Sequence, residues 1–112
     1  MKESEERKRS YFEQAPYGIF LASNEGKYVE VNPAACDLTG YTEKELLQKR
    51  IPDILFAEDV EKGLKHFEEI QKSGNAYGEF RYYTKAGIVR WWSVAATKLS
   101  NNLLLGFCED IT

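Results

Sequence analysis

The sequence predicts an α+β domain built on one antiparallel sheet, and three observations carry that reading. Alternating, strand-like hydrophobicity lies toward both ends of the chain. Helical spacing fills the middle, and turns rich in Gly, Asn and Pro separate the segments. The order is helix, two strands, three helices, three strands. Strands joined by tight turns pair antiparallel, and helices gathered between the second and third strands must cover one face of the sheet. A chain of 112 residues buries about two thirds of its extended surface, enough for one modest core. Residues 1–14 read as a flanking helix and residues 15–112 as the domain.

Each element has its own signal. From Glu3 to Glu13 acids precede bases, and the pairs Glu3/Arg7 and Glu5/Arg9 stand four apart in the favourable order, which predicts a short amphipathic helix anchored by Tyr11 and Phe12. Pro16 ends it. Gly18–Ser23 and Lys27–Val31 read as a hairpin about the Asn24-Glu25-Gly26 turn. Asn32 caps a short helix with Pro33 at its first position, and Gly40 stops it. Thr42 with Glu45 forms a capping box opening a second short helix with Leu46 and Leu47. Asp53-Ile54-Leu55-Phe56 is a packed connector. The longest helix, Asp59–Lys72, is assigned an apolar stripe of Val60, Leu64, Phe67 and Ile70 or Gln71, and Ser73-Gly74-Asn75 closes it. Tyr77–Thr84, Ile88–Lys98 and Leu103–Asp110 complete the sheet.

Composition removes several classes of function. Fifteen basic against eighteen acidic residues give a net charge of −3 and a pI near 5.2, a poor counterion-release partner for a phosphate backbone, so no nucleic-acid ligand is expected. The longest apolar runs, Ile19–Ala22 and Leu103–Leu105, fall far short of the ~20 residues that span a bilayer, and the first six residues hold no apolar signal core. No direct membrane insertion is expected, and the segment reads as cytoplasmic. Cys36 and Cys108 have no CxxC partner and read as reduced, buried thiols. One histidine without HxxxH spacing leaves no metal site. Charges fall on predicted helix faces and turns rather than converging in a cleft, so no catalytic residues are assigned and no enzyme activity is expected of this segment. Glu58-Asp59 reads as a helix cap, and Glu68-Glu69 as a solvated face.

Particular residues at the joints narrow the fold further. Gln14-Ala15-Pro16-Tyr17-Gly18-Ile19, Asn32-Pro33-Ala34-Ala35, Leu38-Thr39-Gly40-Tyr41-Thr42, Glu45-Leu46, Lys85-Ala86-Gly87, Arg90-Trp91 and Asp110-Ile111-Thr112 occur in this order across nearly the whole chain. Together they resemble a PAS domain of the sensory-box type. The resemblance implies a five-stranded antiparallel sheet whose concave face, with the intervening helices, encloses one small-molecule pocket. It also implies a place upstream of an effector such as a histidine kinase or diguanylate cyclase, as in two-component signalling, with Asp110 and Thr112 at the junction to that output.

Period two assigns the faces. With Gly106 and Cys108 inward, as the resemblance implies for the last strand, Leu104 also faces inward. Trp92, Val94 and Ala96 do so in the fourth strand, Phe80 and Tyr82 in the third, and Phe20 and Ala22 in the first. Val31, Leu38, Ile51 and Phe67 complete the candidate lining from the hairpin and helices. These aromatics are expected to fill the pocket or nearly fill it. The alternative is a small aromatic or carboxylate metabolite stacked on Trp92, with the Tyr82 hydroxyl as donor.

The flavin-binding branch of the family is similar in Tyr83-Thr84-Lys85-Ala86-Gly87 and Trp91. Its reactive cysteine, however, falls on Ile51, its two flavin-binding asparagines on Tyr82 and Trp92, and its glutamine on Cys108, so no flavin is expected. Oxygen-sensing relatives hold haem through a histidine early in the long helix. Gly63 stands at the matching position, and His66 comes later, roughly 100° from the centre of the Val60/Leu64/Phe67 stripe, where a surface histidine belongs. Haem is not expected either, and the ligand stays open.

Leu103, Leu105 and Phe107 face outward and need a cover, which the N-terminal helix with Tyr11 and Phe12, or a second copy of the domain, would supply. A homodimeric sensory module passing its signal to a C-terminal effector is therefore expected. A ligand-free interaction domain is the first alternative, and a haem or redox sensor the second.

Overall fold

The computed structural model describes residues 10–112. Residues 10–14 are helical (α1); the ion pairs expected between Glu3 and Arg9 lie outside the described residues. The hairpin β1 (Gly18–Ser23) and β2 (Tyr28–Val31) follows, then α2 (Pro33–Thr39), α3 (Glu43–Leu46), 3-10 turns at Ile51–Ile54 and Ala57–Asp59, and α4 (Val60–Ser73). Strands β3 (Asn75–Tyr83), β4 (Val89–Ser100) and β5 (Leu103–Asp110) end the chain. The five strands lie in the order β2-β1-β5-β4-β3 with every neighbouring pair antiparallel. The last strand thus occupies the middle, and the helices cross from one edge of the sheet to the other.

The expected stops and starts hold. Gly40 caps α2 at φ 79° and Gly74 caps α4 at φ 87°, left-handed positions that a side chain would strain. Thr42 and Glu45 make both bonds of the capping box, at 2.9 and 3.2 Å. β3 begins two residues earlier than the sequence suggests. The long β4 runs past it, pairing Asn75 with Thr97, and Lys98 N–H donates to the Gly74 carbonyl.

The N-terminal side of the core is tied by Asn32. Besides capping α2 through Ala35 N–H (3.0 Å), its Oδ1 accepts from Ile19 N–H (2.8 Å). Its Nδ2 donates to the carbonyls of Phe12 (2.9 Å) and Tyr17 (3.1 Å). One fully buried amide therefore joins α1, the entry to the sheet, β1 and α2, with all four of its hydrogen bonds made.

Two expectations about α4 are overturned. Leu64 does not belong to the buried stripe: it is 53% exposed. Gly63 instead passes so close to Leu55 that an added Cβ would sit 2.6 Å from Leu55 Cδ1. That contact rotates the helix so that Gly63, His66, Phe67 and Ile70 face the sheet. Asp59 makes no capping bond to α4. It is buried and accepts from Arg81 N–H (2.7 Å), Nε (3.1 Å) and the terminal guanidinium nitrogen (2.7 Å), pinning the start of α4 to β3. Phe56 N–H also bonds the Arg81 carbonyl, so the edge of β3 is partly paired there.

Candidate functional site

The concave face of the sheet and the underside of α4 leave a cavity of about 80 Å³. Phe20 and Ala22 line it from β1, Phe80 from β3, Trp92, Val94 and Ala96 from β4, and Leu104, Gly106 and Cys108 from β5. Ile51, Leu55, Gly63, His66, Phe67 and Ile70 roof it, with Tyr28 at the side. Strand alternation places the inward residues because only one face of the sheet packs against helices.

Three of the candidates lie elsewhere. Val31 is buried against other core residues and does not reach the cavity. Leu38 lines a surface cleft with Lys85, Arg90 and Asp110. Tyr82 is fully buried beside the cavity, stacked on Trp92 with centroids 3.9 Å apart. Its hydroxyl donates to the Leu38 carbonyl at 3.2 Å, and burial pushes its pKa up to about 12. A ligand can therefore neither stack on that face of Trp92 nor receive the Tyr82 proton.

Sequence reasoning placed His66 on the surface, but it is half-buried and lines the cavity. Its ring meets Phe80 edge-on at 5.1 Å. Room for both rings comes from Gly78, where a Cβ would lie 2.7 Å from the Phe80 ring and 3.2 Å from His66 Cδ2. A glycine inside a strand was the available signal for such a close approach. Burial lowers the His66 pKa, opposed by the neighbouring carbonyls of Val94 and Ala76.

Among the described residues no Asp, Glu, Lys or Arg lines the cavity. The Cys108 thiol is buried and its pKa pushed far up by that burial, which makes it an inert wall group. Cys36, expected to be buried, is only half so. Two of the lining residues each bury one nitrogen without a partner, Trp92 Nε1 and His66 Nε2, closed off from solvent and from the cavity space alike. Trp92 itself is 3% exposed and braced edge-on by Phe20 at 5.6 Å.

The end of the chain adjoins this wall. Asp110 pairs in register with Trp92 across β5 and β4. Arg90 stands beside Asp110 at 3.4 Å, whereas Lys85, on the turn before β4, pairs with Glu45 at 2.8 Å. Asp110 Oδ1 also accepts from Thr112 N–H at 2.7 Å, and these bonds hold its pKa below the usual carboxylate range. Thr112 Oγ1 accepts from Trp91 N–H and donates to the Trp91 carbonyl, while Ile111 N–H donates to the same carbonyl. Residues 110–112 are thus fastened to β4 directly behind the cavity wall.

On the outer face, Leu103, Leu105 and Phe107 are half-buried, with Tyr17 edge-on to Phe107 at 5.5 Å. Tyr11 is exposed and Phe12 half-buried. Val89, Trp91 and Leu99 add further exposed apolar surface to that face.

Residues 16–112 match the family model described as the PAS domain. The probable diguanylate cyclase DgcE of Escherichia coli (strain K12) is 32% identical over 99 residues, covering 87% of this chain and 9% of that protein. The sensor histidine kinase TmoS of Ectopseudomonas mendocina is 28% identical over 116 residues, covering 97% of this chain and 12% of its own length. The chain therefore spans only about a tenth of either relative. A domain of a sensory box sensor histidine kinase/response regulator from Geobacter sulfurreducens superposes with a TM-score of 0.83 at 29% identity, over 96% of this chain and 94% of that one. The PAS domain of a Colwellia psychrerythraea protein reaches 0.90 at 18% identity, over 97% and 98%. No helix among the described residues is long and apolar enough to cross a membrane.

Proposed function

The chain belongs to the PAS domain family, and from that premise we propose that it is the ligand-sensing input module of a cytoplasmic signalling protein. In this reading the cavity takes a small molecule. The change it makes in the sheet passes along β4 and β5 to residues 110–112, and from there to a C-terminal effector such as a histidine kinase or diguanylate cyclase. The outer sheet face and α1 would join two copies. One observation supports this most directly: Trp92, which lines the cavity, pairs in register with Asp110, the first residue of the fastened terminus. A bound molecule that favours one position of Trp92 acts on that junction without intermediaries, which is what a population shift needs. The domain supplies sensing rather than catalysis.

A cavity of about 80 Å³ lies well below the roughly 300–1,000 Å³ that bury drug-sized ligands, so neither flavin nor haem fits this reading. The second reading, a ligand-free dimerisation domain, is favoured by the exposed Val89, Trp91 and Leu99 on the outer face. Thermal unfolding across a panel of small polar and apolar compounds, and across protein concentration, separates the two. A sensor is stabilised by RT ln(1 + L/Kd) at free compound concentration L, which keeps rising with the logarithm of L above Kd, and Val94→Phe, which fills the cavity, abolishes the effect. If no compound stabilises the wild type more than this variant, and only protein concentration raises the midpoint, the ligand-free reading replaces the first.

A further inference from the structure

The cavity has an outer neighbour. Glu25 and Gly26 of the β1–β2 turn, Pro52, and Val60 and Leu64 at the start of α4 surround a groove of about 110 Å³. Glu25, Pro52 and Leu64 are exposed, so this groove reaches the surface. Ile51, Leu55, Gly63 and Phe67 line both the groove and the cavity of about 80 Å³, and one layer of residues therefore divides the two spaces.

That wall is not uniform. At Gly63 it is shut, because Leu55 Cδ1 lies 2.6 Å from where a Cβ would stand and so rests on the helix backbone itself. The other part is made by Ile51 and Phe67, which meet beneath Gly26, with Ile51 Cδ1 and Phe67 Cε1 at 4.0 and 3.9 Å from where its Cβ would be. Both are half-buried, and being hydrocarbon neither is held in place by a side-chain hydrogen bond. The helix carrying Phe67 is fixed at both ends. Asp59 accepts from Arg81 at its start, and Lys98 N–H and the Thr97 hydroxyl donate to the Gly74 carbonyl at its end. A passage between the spaces is thus made by new rotamers of Phe67 and Ile51 on an unmoved backbone.

Size and charge define what such a passage admits. Either space alone is smaller than the ~150 Å³ hydrocarbon cavity that takes a benzene molecule, and the two together exceed it. Two small lobes joined at a neck of side-chain width suit a chain better than a ring of the same number of atoms. The polar side chains on the cavity walls are Tyr28, His66, Trp92 and Cys108. Burial raises the pKa of Tyr28 and Cys108 and lowers that of His66, which keeps all of them neutral. An ion in the inner lobe would be buried without a counter-charge. Glu25, at the mouth, is the one formal charge among the described residues lining either space.

Resting on the ligand-cavity reading above, we propose that the two spaces form one site for an unbranched, uncharged aliphatic chain of about eight non-hydrogen atoms. It enters past Phe67 with its hydrocarbon end first and leaves its polar end at the mouth.

1-Heptanol and cyclohexylmethanol have the same number of non-hydrogen atoms and the same hydroxyl, one as a chain and the other as a ring, while 1-propanol suits the inner space alone. Each is titrated into the ¹³C-methyl-labelled protein. The methyls of Ala96 and Leu104 report on the cavity, and those of Val60 and Leu64 on the groove. The expected result is that 1-heptanol shifts both sets saturably with one Kd, at least about tenfold below those of 1-propanol and cyclohexylmethanol, since each buried methylene contributes about fourfold. Val60→Phe, which fills the groove, brings 1-heptanol to within about threefold of 1-propanol. It leaves 1-propanol unchanged, which also shows that the variant is folded. Val94→Phe, which fills the cavity, removes 1-propanol binding. Cyclohexylmethanol binding as tightly as 1-heptanol overturns the proposal. So does 1-heptanol that shifts only one set of methyls, or that binds Val60→Phe as it binds the wild type. The ligand-cavity reading survives these results where 1-propanol binding is lost in Val94→Phe. If no alcohol shifts Ala96 or Leu104, the ligand-cavity reading itself falls, and the proposal with it.

Discussion

Two buried polar side chains on opposite sides of the same core are treated in opposite ways. Asn32 makes all four of its hydrogen bonds and ties four segments together. Trp92 makes none through its indole nitrogen, and His66 none through Nε2. The first arrangement fixes geometry, because every group that replaces the amide leaves several backbone partners unsatisfied. The second leaves free energy unspent where the cavity lies. The difference separates a junction that locks four segments together from a wall whose buried nitrogens are left unpaired.

The sharpest way to break this contrast is at Asn32. Asn32→Leu strands the Ile19 N–H and the Phe12 and Tyr17 carbonyls, while Ala35 N–H keeps its bond to the residue-32 carbonyl. Each stranded group costs about 1–3 kcal/mol when buried, so a loss of at least about 3 kcal/mol is expected in chemical denaturation. A loss below about 1 kcal/mol would mean that the network relaxes to water, and the contrast with Trp92 would vanish.

A smaller effect is expected at the junction behind the cavity. Asp110→Ala removes the bond from Thr112 N–H and the Arg90 pair, and should cost about 1–2 kcal/mol. In a full-length parent it should uncouple stimulus from output while cavity binding stays unchanged. Unchanged stability together with unchanged signalling makes Asp110 a bystander.

The smallest effect belongs to His66. Replacing it by Leu removes an unpaired buried nitrogen, so at pH 7 stability should change by less than about 1 kcal/mol. Its signature is in pH dependence. A histidine whose folded pKa lies below 6.5 resists protonation in the fold, so stability falls as pH drops below the unfolded value of about 6.5. The lowered carboxyls of Asp59 and Asp110, and Glu45 at about 2, add a second decline. Their contribution is complete above the ordinary carboxylate range and is lost as pH falls toward about 2. His66→Leu should flatten only the upper decline. Denaturation midpoints measured from pH 7 to pH 3 test this; an unaltered upper slope would place the histidine outside the core's proton balance.

The fold was legible wherever local chemistry decided the outcome. Thr42 and Glu45 close a box within four residues, Gly40 and Gly74 end helices by their own φ, and alternation sorted Phe20, Phe80, Trp92 and Leu104 correctly onto the inner face. What escaped was decided across the chain. Asn32 is visible as a cap, but its bonds to Phe12, Tyr17 and Ile19 depend on how three other segments meet. The face of α4 was misassigned because hydropathy ranks Leu64 above Gly63, whereas contact with Leu55 requires the smaller residue. His66 was placed in solvent because its berth is made by Gly78, on another element. Tyr82 sorted to the correct face and still missed the cavity, since its hydroxyl finds the Leu38 carbonyl 44 residues away.

The central position of β5 bears on how the domain is made. The hairpin of β1 and β2 and the pair of β3 and β4 emerge from the ribosome first, yet neither touches the other within the sheet until β5 lies between them. Both present an unpaired edge during that interval, the condition under which strands find wrong partners. Closing the sheet joins Gly18 to Cys108, nearly the full length of the chain, and such distant pairing is slow compared with hairpin formation. During synthesis the last strand is therefore the key that locks the sheet, and any segment following Thr112 is already being translated when it turns.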